Sequence, residues 1–303
     1  MSLSINAALT LAAQKLAAAR ITSPHLDADV LLSFVLKKSK EFLYSHSEQI
    51  LKRAQYSKYK KLINQRARYF PVAYLTNHKE FFGLDFYVDK NVLIPRPETE
   101  LLVERALRAM ETIKNKNATI ADIGTGSGCV AISIAKNINA RVFAVDISST
   151  ALKIARKNAR AICTDAAAAV GGVNMPRLSR KKIKFLHGNL LEPLKNKKLD
   201  IIIANLPYWY DNDMKNLLKS SWSKSIKYEP QIAIKGGKTG LSIYRKFFQQ
   251  ISQLKYRPKY ILTEIDHRQT KSISAFIKKI LPNSKIQVFQ DLNKKDRVIV
   301  VTI

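Results

Sequence analysis

The pattern of apolar and polar positions divides the chain into a helical part followed by an α/β part. In the first part, apolar residues recur every three or four positions, which is the spacing of one face of a helix. Ser23 and Pro24 predict the start of a helix, with a capping hydroxyl followed by proline in the first turn. We therefore predict a small helical domain over residues 1–78. The residues that carry the helical pattern are Ile5, Leu9, Ala12, Ala13, Leu16, Ala28, Leu31, Leu32, Val35, Tyr59, Leu62, Ile63 and Arg66.

The next stretch, residues 79–95, is rich in aromatic and β-branched residues. Within it, the sequence EFFGLDFYVDKNVLIP, residues 80–95, places a turn at Gly83 between two apolar runs. We predict a short β-hairpin that links the helical domain to the rest of the chain.

From residue 96 onward, short apolar strands alternate with amphipathic helices. The predicted strands TIADIG, ARVFAVDI, KIKFLHGN, DIIIAN and YILTEI are almost wholly apolar, which indicates a parallel sheet covered on both faces. The last two strands, KIQVFQDL and RVIVVTI, are separated only by a tight turn and should pair antiparallel. The small, basic stretch CTDAAAAVGGVNMPRLSRK, within residues 163–182, is predicted to be a loop or an insertion.

The composition indicates a globular protein with a strongly basic surface. Of the 303 residues, 46% are hydrophobic, which is enough for a proper core. The chain has 52 Lys and Arg against 23 Asp and Glu, so its formal net charge is +29. This charge favours polyanionic partners such as RNA or the ribosome. Because the lysines are spread along the chain, a solvated surface without a partner is an equally good interpretation.

Cysteine usage and the lack of long apolar runs indicate a cytoplasmic protein. Cys129 and Cys163 are isolated, so we expect neither a disulfide framework nor a metal site. No apolar run approaches the roughly 18–20 residues of a membrane span. The N-terminal stretch lacks the arginine density of a transit peptide, and Lys15 interrupts any signal-peptide core.

A glycine-rich segment, ADIGTGSGCVAISIA, lies between the first strand and the first helix of the α/β part. Gly124, Gly126 and Gly128 allow a sharp turn and let a ligand lie against bare backbone near a helix N-terminus. Asp146 ends the next strand, where a carboxylate can accept hydrogen bonds from both hydroxyls of a ribose. The third glycine of the dinucleotide fingerprint is replaced by Cys129. The spacing G-x-G-x-G resembles instead the S-adenosylmethionine loop of class I methyltransferases.

The strand DIIIAN runs into the tetrapeptide Asn-Leu-Pro-Tyr, which strand formation alone does not explain. The side-chain oxygen of Asn205 and the carbonyl of Leu206 can accept the two hydrogens of a planar NH2 group. Pro207 stiffens the turn, and the ring of Tyr208 offers a face for stacking. Such a grip orients the nitrogen towards a sulfonium methyl, and the proton can leave after methyl transfer. We predict that these four residues hold a planar nitrogen for methylation.

Other polar residues give weaker indications. Glu264 ends the strand YILTE and could approach the site, but we favour a solvated acid at a strand end. His78, His187 and His267 are isolated in the sequence and are assigned no catalytic role.

Taken together, these motifs resemble the peptide chain release factor glutamine N5-methyltransferases. The signature IPRPETE occupies residues 94–100. SPHLDADVLL, DIGTGSGCVAIS, AVDIS, KYEPQIAIKGGKTGLSIYRKF and DRVIVV also follow the order of that family. The resemblance covers nearly the whole chain.

The resemblance implies both a fold and an activity. The fold is a class I methyltransferase, α/β and Rossmann-like, whose mostly parallel seven-stranded sheet has an antiparallel last strand. A helical substrate-recognition domain, 1–78, and the hairpin linker, 79–95, would precede the methyltransferase domain, 96–303. The activity is transfer of a methyl group from S-adenosyl-L-methionine to the glutamine amide nitrogen of the Gly-Gly-Gln motif in bacterial class I release factors.

The resemblance also assigns site residues. Asn205, Pro207 and Tyr208 would be catalytic, and with Leu206 they would bind the glutamine. Asp146 would hold the ribose, and the PRPE stretch would form a wall near the cofactor. Asn189 and Leu190 would lie near the adenine, and Asn205 would also contact the cofactor. The residues expected along the methionine part are Gly124, Thr125, Gly126, Ser127 and Gly128.

Two departures from the family keep alternatives open. The family usually has Pro-Pro where this chain has Leu206-Pro207, and position 190 is leucine where a bulky aromatic can occur. Asn-Leu-Pro-Tyr also resembles the motif of rRNA adenine dimethyltransferases. The alternatives are therefore a ribosomal-protein glutamine methyltransferase and an adenine-N6 methyltransferase acting on RNA or DNA.

Overall fold

The structure, a computed structural model, describes residues 3–113, 115, 117–164, 182–213 and 223–303. Residues 165–181 of the predicted insertion therefore lie outside the described residues. Two compact units are present. One contains the described residues of Met1–His78 and Lys215–Glu229, and the other contains those of Lys79–Met214 and Pro230–Ile303.

The first unit is helical, and the three helices predicted from apolar spacing are confirmed. Two further helices were not predicted, because segments of five or six residues are too short to show a helical repeat. Leu16, Leu31 and Leu43 are fully buried in the core of this unit. The helices are α1 (Ile5–Ala18), α2 (Pro24–Leu36), α3 (Lys40–Ser45), α4 (Arg53–Arg66) and α5 (Val72–Thr76), with a 3-10 helix at Ser223–Tyr228.

Helix α2 begins at Pro24 as predicted, but the predicted capping role of the Ser23 hydroxyl is wrong. The Ser23 hydroxyl caps no N–H group and donates instead to Asp27 Oδ1 at 3.0 Å. Asp27 Oδ2 accepts from Arg66 Nε at 2.6 Å, and both side chains are largely buried. The hydroxyl therefore helps to satisfy a buried ion pair that joins α2 to α4.

Residues 223–229 pack within the helical unit, although they follow the site strand DIIIAN in the sequence. The Tyr228 hydroxyl donates to the Arg68 carbonyl at 2.8 Å, and its ring centroid lies 4.8 Å from that of Phe70. The Lys224 ammonium lies 4.7 Å from the ring centroid of Tyr69. Sequence alone assigned this segment to the methyltransferase domain.

The second unit begins with the predicted hairpin, which is confirmed. Its strands, β1 (Lys79–Phe81) and β2 (Leu84–Phe86), pair antiparallel. Phe82 and Gly83 both have positive φ, at 52° and 68°, as a two-residue hairpin turn requires. Phe81 and Phe86 are buried in the core of this unit.

A seven-stranded sheet organises the rest of the unit and confirms the predicted fold class. The strand order is β5-β4-β3-β6-β7-β9-β8. Strand β9 is antiparallel to both β7 and β8, whereas the other pairs are parallel. The strands are β3 (Thr119–Ile123), β4 (Arg141–Asp146), β5 (Ile183–His187), β6 (Ile201–Ala204), β7 (Tyr260–Glu264), β8 (Lys285–Gln290) and β9 (Asp296–Thr302).

Helices cover both faces of the sheet, which explains why its central strands are almost wholly apolar. In β6, Ile201 and Ile203 belong to one core cluster, while Ile202 and Ala204 belong to the other. The helices of this unit are α6 (Glu100–Glu111), α7 (Cys129–Asn137), α8 (Ser149–Thr164), α9 (Ser242–Ser252) and α10 (Thr270–Ile280). None of the helices within the described ranges is long and apolar enough to cross a lipid bilayer.

The α2 helix provides a matched test of the helical core. Leu31 is 0% exposed and Leu26 is 52% exposed. We expect Leu31→Ala to lower the free energy of unfolding by about 2–5 kcal/mol, because it leaves a cavity among packed helices. Leu26→Ala on the same helix should change it by less than about 0.5 kcal/mol. Urea denaturation measures both, and equal losses would contradict the assigned core.

Candidate active site

A cavity lies at the carboxyl ends of strands β3, β4 and β6 and beside the segment that follows β5. Strands β4 and β6 lie on opposite sides of β3, so the cavity occupies the point where the order of strands reverses direction. This is the usual ligand crevice of a doubly wound sheet. The predicted site residues that line the cavity are Gly124, Gly126, Asp146, Asn189, Leu190, Asn205, Leu206 and Pro207.

The glycine loop has backbone conformations that favour glycine. Gly124, Gly126 and Gly128 have φ angles of 76°, 55° and 83°. Gly124 is further constrained by its neighbour, since a Cβ atom there would lie 3.3 Å from Leu206 Cδ2. The loop after β3 and the tetrapeptide after β6 therefore pack directly against each other.

Asp146 joins the glycine loop to the segment after β4. Its Oδ2 accepts from the Gly126 N–H and its Oδ1 accepts from the Ser148 N–H, both at 2.8 Å. Burial raises the pKa of Asp146, and the two N–H groups oppose that rise. Each oxygen retains a further lone pair, so the carboxylate can also accept hydrogen bonds from a ligand.

A second acid, Asp122, supports the same loop from inside the sheet. Its Oδ2 accepts from the Thr125 hydroxyl at 2.6 Å. Burial raises the pKa of Asp122 to about 7, while hydrogen bonds from Thr125 and from the Ala131 N–H oppose the rise. Asp122 is 2% exposed, so its carboxyl group shapes the loop without reaching the ligand.

The Asn205 carboxamide is held by two buried partners. Its Nδ2 donates to Glu264 Oε2 at 2.9 Å and to the Thr99 hydroxyl oxygen at 3.1 Å. Thr99 in turn donates to Glu264 Oε2 at 2.7 Å. The interpretation of Glu264 as a solvated acid is wrong, since it is 1% exposed. In the register of β6 with β7, Ala204 pairs with Thr263, so Glu264, the next residue, lies beside Asn205.

Tyr208 is fixed by the same acid. Its hydroxyl donates to Glu264 Oε1 at 3.0 Å, and its carbonyl accepts from Gln269 Nε2 at 2.8 Å. Burial raises the pKa of Tyr208 well above its usual value, and the nearby Glu264 charge adds to the rise. Tyr208 is therefore a neutral hydrogen-bond donor.

Four predicted site residues do not line the cavity. The Thr125 hydroxyl points to Asp122, and Ser127 is buried. A Cβ atom on Gly128 would lie 2.9 Å from Ile132 Cδ1, which places this glycine against α7 rather than at the cavity. Tyr208 is turned towards Glu264. Nor does the PRPE stretch, 95–98, line the cavity, although Thr99 follows it directly.

One wall of the cavity comes from residues that sequence reasoning missed. Asn91, Val92 and Leu93, which follow the hairpin, line the cavity. Asn158 on α8 anchors this segment: its side chain exchanges two hydrogen bonds with the Tyr87 backbone, at 2.8 and 3.0 Å. Its Nδ2 also donates to the Ser127 carbonyl at 2.8 Å. Asn158 lies on the otherwise apolar, buried face of α8, and an asparagine on that face was the available signal.

Comparisons with known proteins agree with this architecture. A family model of the PrmC N-terminal domain matches residues 7–76, and one of ribosomal protein L11 methyltransferase (PrmA) matches residues 103–207. A release factor glutamine methyltransferase from Moorella thermoacetica is 34% identical over 297 residues, which cover 97% of each chain. One from Clostridium acetobutylicum is 34% identical over 280 residues, or 90% of this chain and 89% of that protein.

This chain belongs to the release factor glutamine methyltransferase family. Among solved structures, the hMettl16 catalytic domain in complex with MAT2A 3′UTR hairpin 1 superposes with a TM-score of 0.55 at 17% identity. That alignment covers 89% of this chain and 90% of that one, and it shows a shared fold.

Leu206, which departs from the usual proline of release factor glutamine methyltransferases, is accommodated by a buried tyrosine. The Leu206 N–H, which proline would lack, donates to the Tyr244 hydroxyl at 3.3 Å. That hydroxyl donates to the Glu264 carbonyl at 2.5 Å and lies 3.2 Å from the Leu206 carbonyl. The Leu206 side chain is buried in the core beneath Gly124. Hydrogen bonding and packing thus restrain this loop.

Replacing Asp122 should change how the free energy of unfolding depends on pH. The folded protein keeps this carboxyl protonated up to about pH 7, whereas the unfolded chain releases the proton near pH 4. The stabilising contribution is therefore complete below about pH 4 and is lost as the pH rises through about 7. Relative to Asp122→Asn, the wild type should lose up to about 1.4 kcal/mol per pH unit in this window. Urea denaturation across this range measures the difference, and parallel pH profiles would contradict it.

Proposed function

We propose that this enzyme transfers the methyl group of S-adenosyl-L-methionine to the side-chain amide nitrogen (N5) of the glutamine in the Gly-Gly-Gln motif of peptide chain release factors. Family membership supports the reaction and its substrate. The observation that carries the proposal is the position of Asn205. This residue lines the cavity, while its NH2 group donates to Thr99 and Glu264, which do not line it.

The cavity residues fit S-adenosylmethionine by their chemistry. Asp146 presents a carboxylate with unused lone pairs at a strand end, as two ribose hydroxyls require. Apolar side chains, including Val92, Ile147 and Leu190, offer surfaces for a flat base. Leu190 has a φ of 54°, an uncommon conformation for leucine that occurs here at the ligand cavity. The Gly124–Gly126 backbone lies open to the methionine part.

The tetrapeptide after β6 supplies acceptors for the glutamine amide. Asn205 Oδ1 and the Leu206 carbonyl accept the two hydrogens of the substrate NH2 group. Pro207 cannot donate a hydrogen bond and stiffens the turn that holds these oxygens. Tyr208 does not line the cavity, so we assign its ring no stacking role; its hydroxyl, which donates to Glu264, restrains the turn that carries these acceptors.

The reaction then needs orientation more than a strong base. When bound, the cofactor supplies an activated methyl group on a sulfonium sulfur. Asn205 and Leu206 direct the amide nitrogen at that methyl group, which raises the effective concentration of the nucleophile. The carbon–nitrogen bond would form as the sulfur–carbon bond breaks, which would leave the cofactor as a neutral thioether, and the nitrogen would then lose one proton to water.

The proposed substrate also indicates where the enzyme acts and which partners its basic surface would contact. Release factors act on ribosomes, so we place the enzyme in the cytoplasm with bacterial class I release factors as partners. The net charge of +29 would favour contact with acidic release-factor surfaces or with ribosomal RNA. Those contacts would weaken as the salt concentration rises.

A labelling experiment tests the proposed substrate. The protein is incubated with methyl-labelled S-adenosylmethionine and, separately, with a class I release factor, total RNA or ribosomal proteins. Label should appear in the release factor alone, and it should disappear when alanine replaces the glutamine of the Gly-Gly-Gln motif. Label that enters only RNA or ribosomal protein would overturn the proposal.

Removing the amide acceptor should affect turnover rather than cofactor binding. We expect Asn205→Ala to lower kcat by about a hundredfold or more, because the nucleophile loses its orientation. The Kd for S-adenosylmethionine, measured by calorimetry, should change by less than about threefold. Thr119→Val is the control, because Thr119 begins strand β3 and so lies at the end of that strand away from the cavity. A large change in Kd with unchanged kcat would contradict the assigned role.

Removing the strand-end acid should give the reverse pattern. We expect Asp146→Ala to weaken cofactor binding by about tenfold or more, since the ribose loses its acceptor and the Gly126 and Ser148 N–H groups lose theirs. At saturating cofactor, kcat should recover most of its wild-type value. Calorimetry and initial rates separate the two constants. An unchanged Kd would refute the ribose assignment.

A further inference from the structure

Glu264 lies at the end of β7, outside the residues predicted for the site. It is 1% exposed, and its carboxylate receives hydrogen bonds from three side chains. Oε2 accepts from Thr99 at 2.7 Å and from Asn205 Nδ2 at 2.9 Å, while Oε1 accepts from Tyr208 at 3.0 Å. These partners come from two segments of the chain, the one before α6 and the turn after β6, and they converge on a group that does not line the cavity.

This arrangement accepts the Asn205 amide in only one orientation. A carboxylate offers acceptors and no donor, so it pairs with the amide NH2 and repels the amide oxygen. The Thr99 hydroxyl uses its single hydrogen on Glu264, which leaves only lone pairs facing Asn205 at 3.1 Å. Both partners therefore require that Nδ2 of Asn205 points towards them and away from the cavity. Oδ1 is then left to face the cavity.

We propose that Glu264 and Thr99 are positioning residues that lock the Asn205 carboxamide with its oxygen towards the methyl-accepting nitrogen. This role rests on the proposed function, because it matters only if Asn205 grips an NH2 group. With the amide flipped, the NH2 group of Asn205 would face the NH2 group of the substrate, and two donors would lack acceptors. Glu264 and Thr99 thus make the site selective for a substrate group that donates hydrogen bonds, such as an amide NH2.

The surroundings of Glu264 act on its carboxyl group in opposite directions. Burial raises the pKa of Glu264 above its usual value, and the Thr99 hydroxyl, the Arg297 guanidinium and the Tyr208 hydroxyl offset only part of that rise. Arg297 itself is held by Asp291, with Nη2 to Oδ2 at 3.0 Å. A cation anchored beside a buried carboxylate reduces the cost of keeping that carboxylate charged.

Three forms of residue 264 separate positioning from charge. Glu264→Met keeps an unbranched side chain of similar length but supplies no oxygen acceptor. Glu264→Gln loses the charge, yet its carbonyl oxygen can still accept from Asn205 and Thr99 while its NH2 group donates to the Tyr208 oxygen. Initial rates with release factor should show kcat reduced about tenfold to a hundredfold in the Met variant and less than about fivefold in the Gln variant.

Substitutions at position 99 give an independent route if Glu264→Met does not fold. Thr99→Val has nearly the same shape but lacks the hydroxyl, so it should lower kcat by about tenfold. Thr99→Ser restores the hydroxyl and should restore most of the activity. Thr119→Val makes the same chemical change elsewhere in the unit and should leave kcat unchanged. The Kd for S-adenosylmethionine should stay within about twofold in all five variants, because positions 99, 119 and 264 do not line the cavity.

The outcomes are distinguishable. If the wild type does not methylate release factor, the proposed function fails and this inference fails with it. If the wild type is active and Thr99→Val or Glu264→Met keeps full kcat, the positioning role is refuted while the proposed function stands. If Glu264→Gln loses as much activity as Glu264→Met, the charge matters rather than the orientation. Loss of kcat in step with cofactor affinity and thermal stability would mark a merely structural role.

Discussion

The buried carboxylate of Glu264 is the interaction on which the arrangement of the site depends. An acid that is 1% exposed is tolerated only when its lone pairs are satisfied. Here the donors are Thr99 from the segment before α6, and Asn205 and Tyr208 from the turn after β6. Satisfying one acid therefore fixes two segments that are about a hundred residues apart in the chain. Loss of any donor leaves the carboxylate underpaired, so each of the three hydrogen bonds contributes to holding the two segments in register.

Much of the fold was predictable because the sheet is covered on both faces. A strand such as β6 must then be apolar at every position, and that pattern is visible without knowledge of its neighbours. The meeting of Gly124, Asp146 and Asn205 was predictable for a related reason: carboxyl ends of adjacent parallel strands lie at one edge. The position of Asn91 was not, because nothing in its local sequence indicates that Asn158 holds the preceding segment against the glycine loop.

The same limit explains the error at Glu264. An acid at the end of a strand is solvated unless other elements cover it, and coverage is a property of the tertiary structure. The clue was indirect, since β6 and β7 are adjacent strands and the acid therefore ends beside Asn205. The substitution at Leu206 shows the same limit. Leucine in place of the family's usual proline adds an N–H group, and the fold satisfies that group with the buried hydroxyl of Tyr244, which the local sequence does not reveal.

The cofactor side and the acceptor side of the cavity follow one physical scheme. In each, a largely buried acid receives hydrogen bonds from the protein, and these bonds restrain a neighbouring polar group before any ligand arrives. Asp146 restrains the Gly126 backbone, and Glu264 restrains the Asn205 amide. A group that is already oriented loses little conformational freedom on binding, so more of the interaction energy is available to align the reacting atoms. Such pre-orientation suits this methyl transfer, whose main requirement is the direction of approach. The activated methyl group already supplies the driving force, whereas the amide nitrogen is a weak nucleophile and must be correctly oriented.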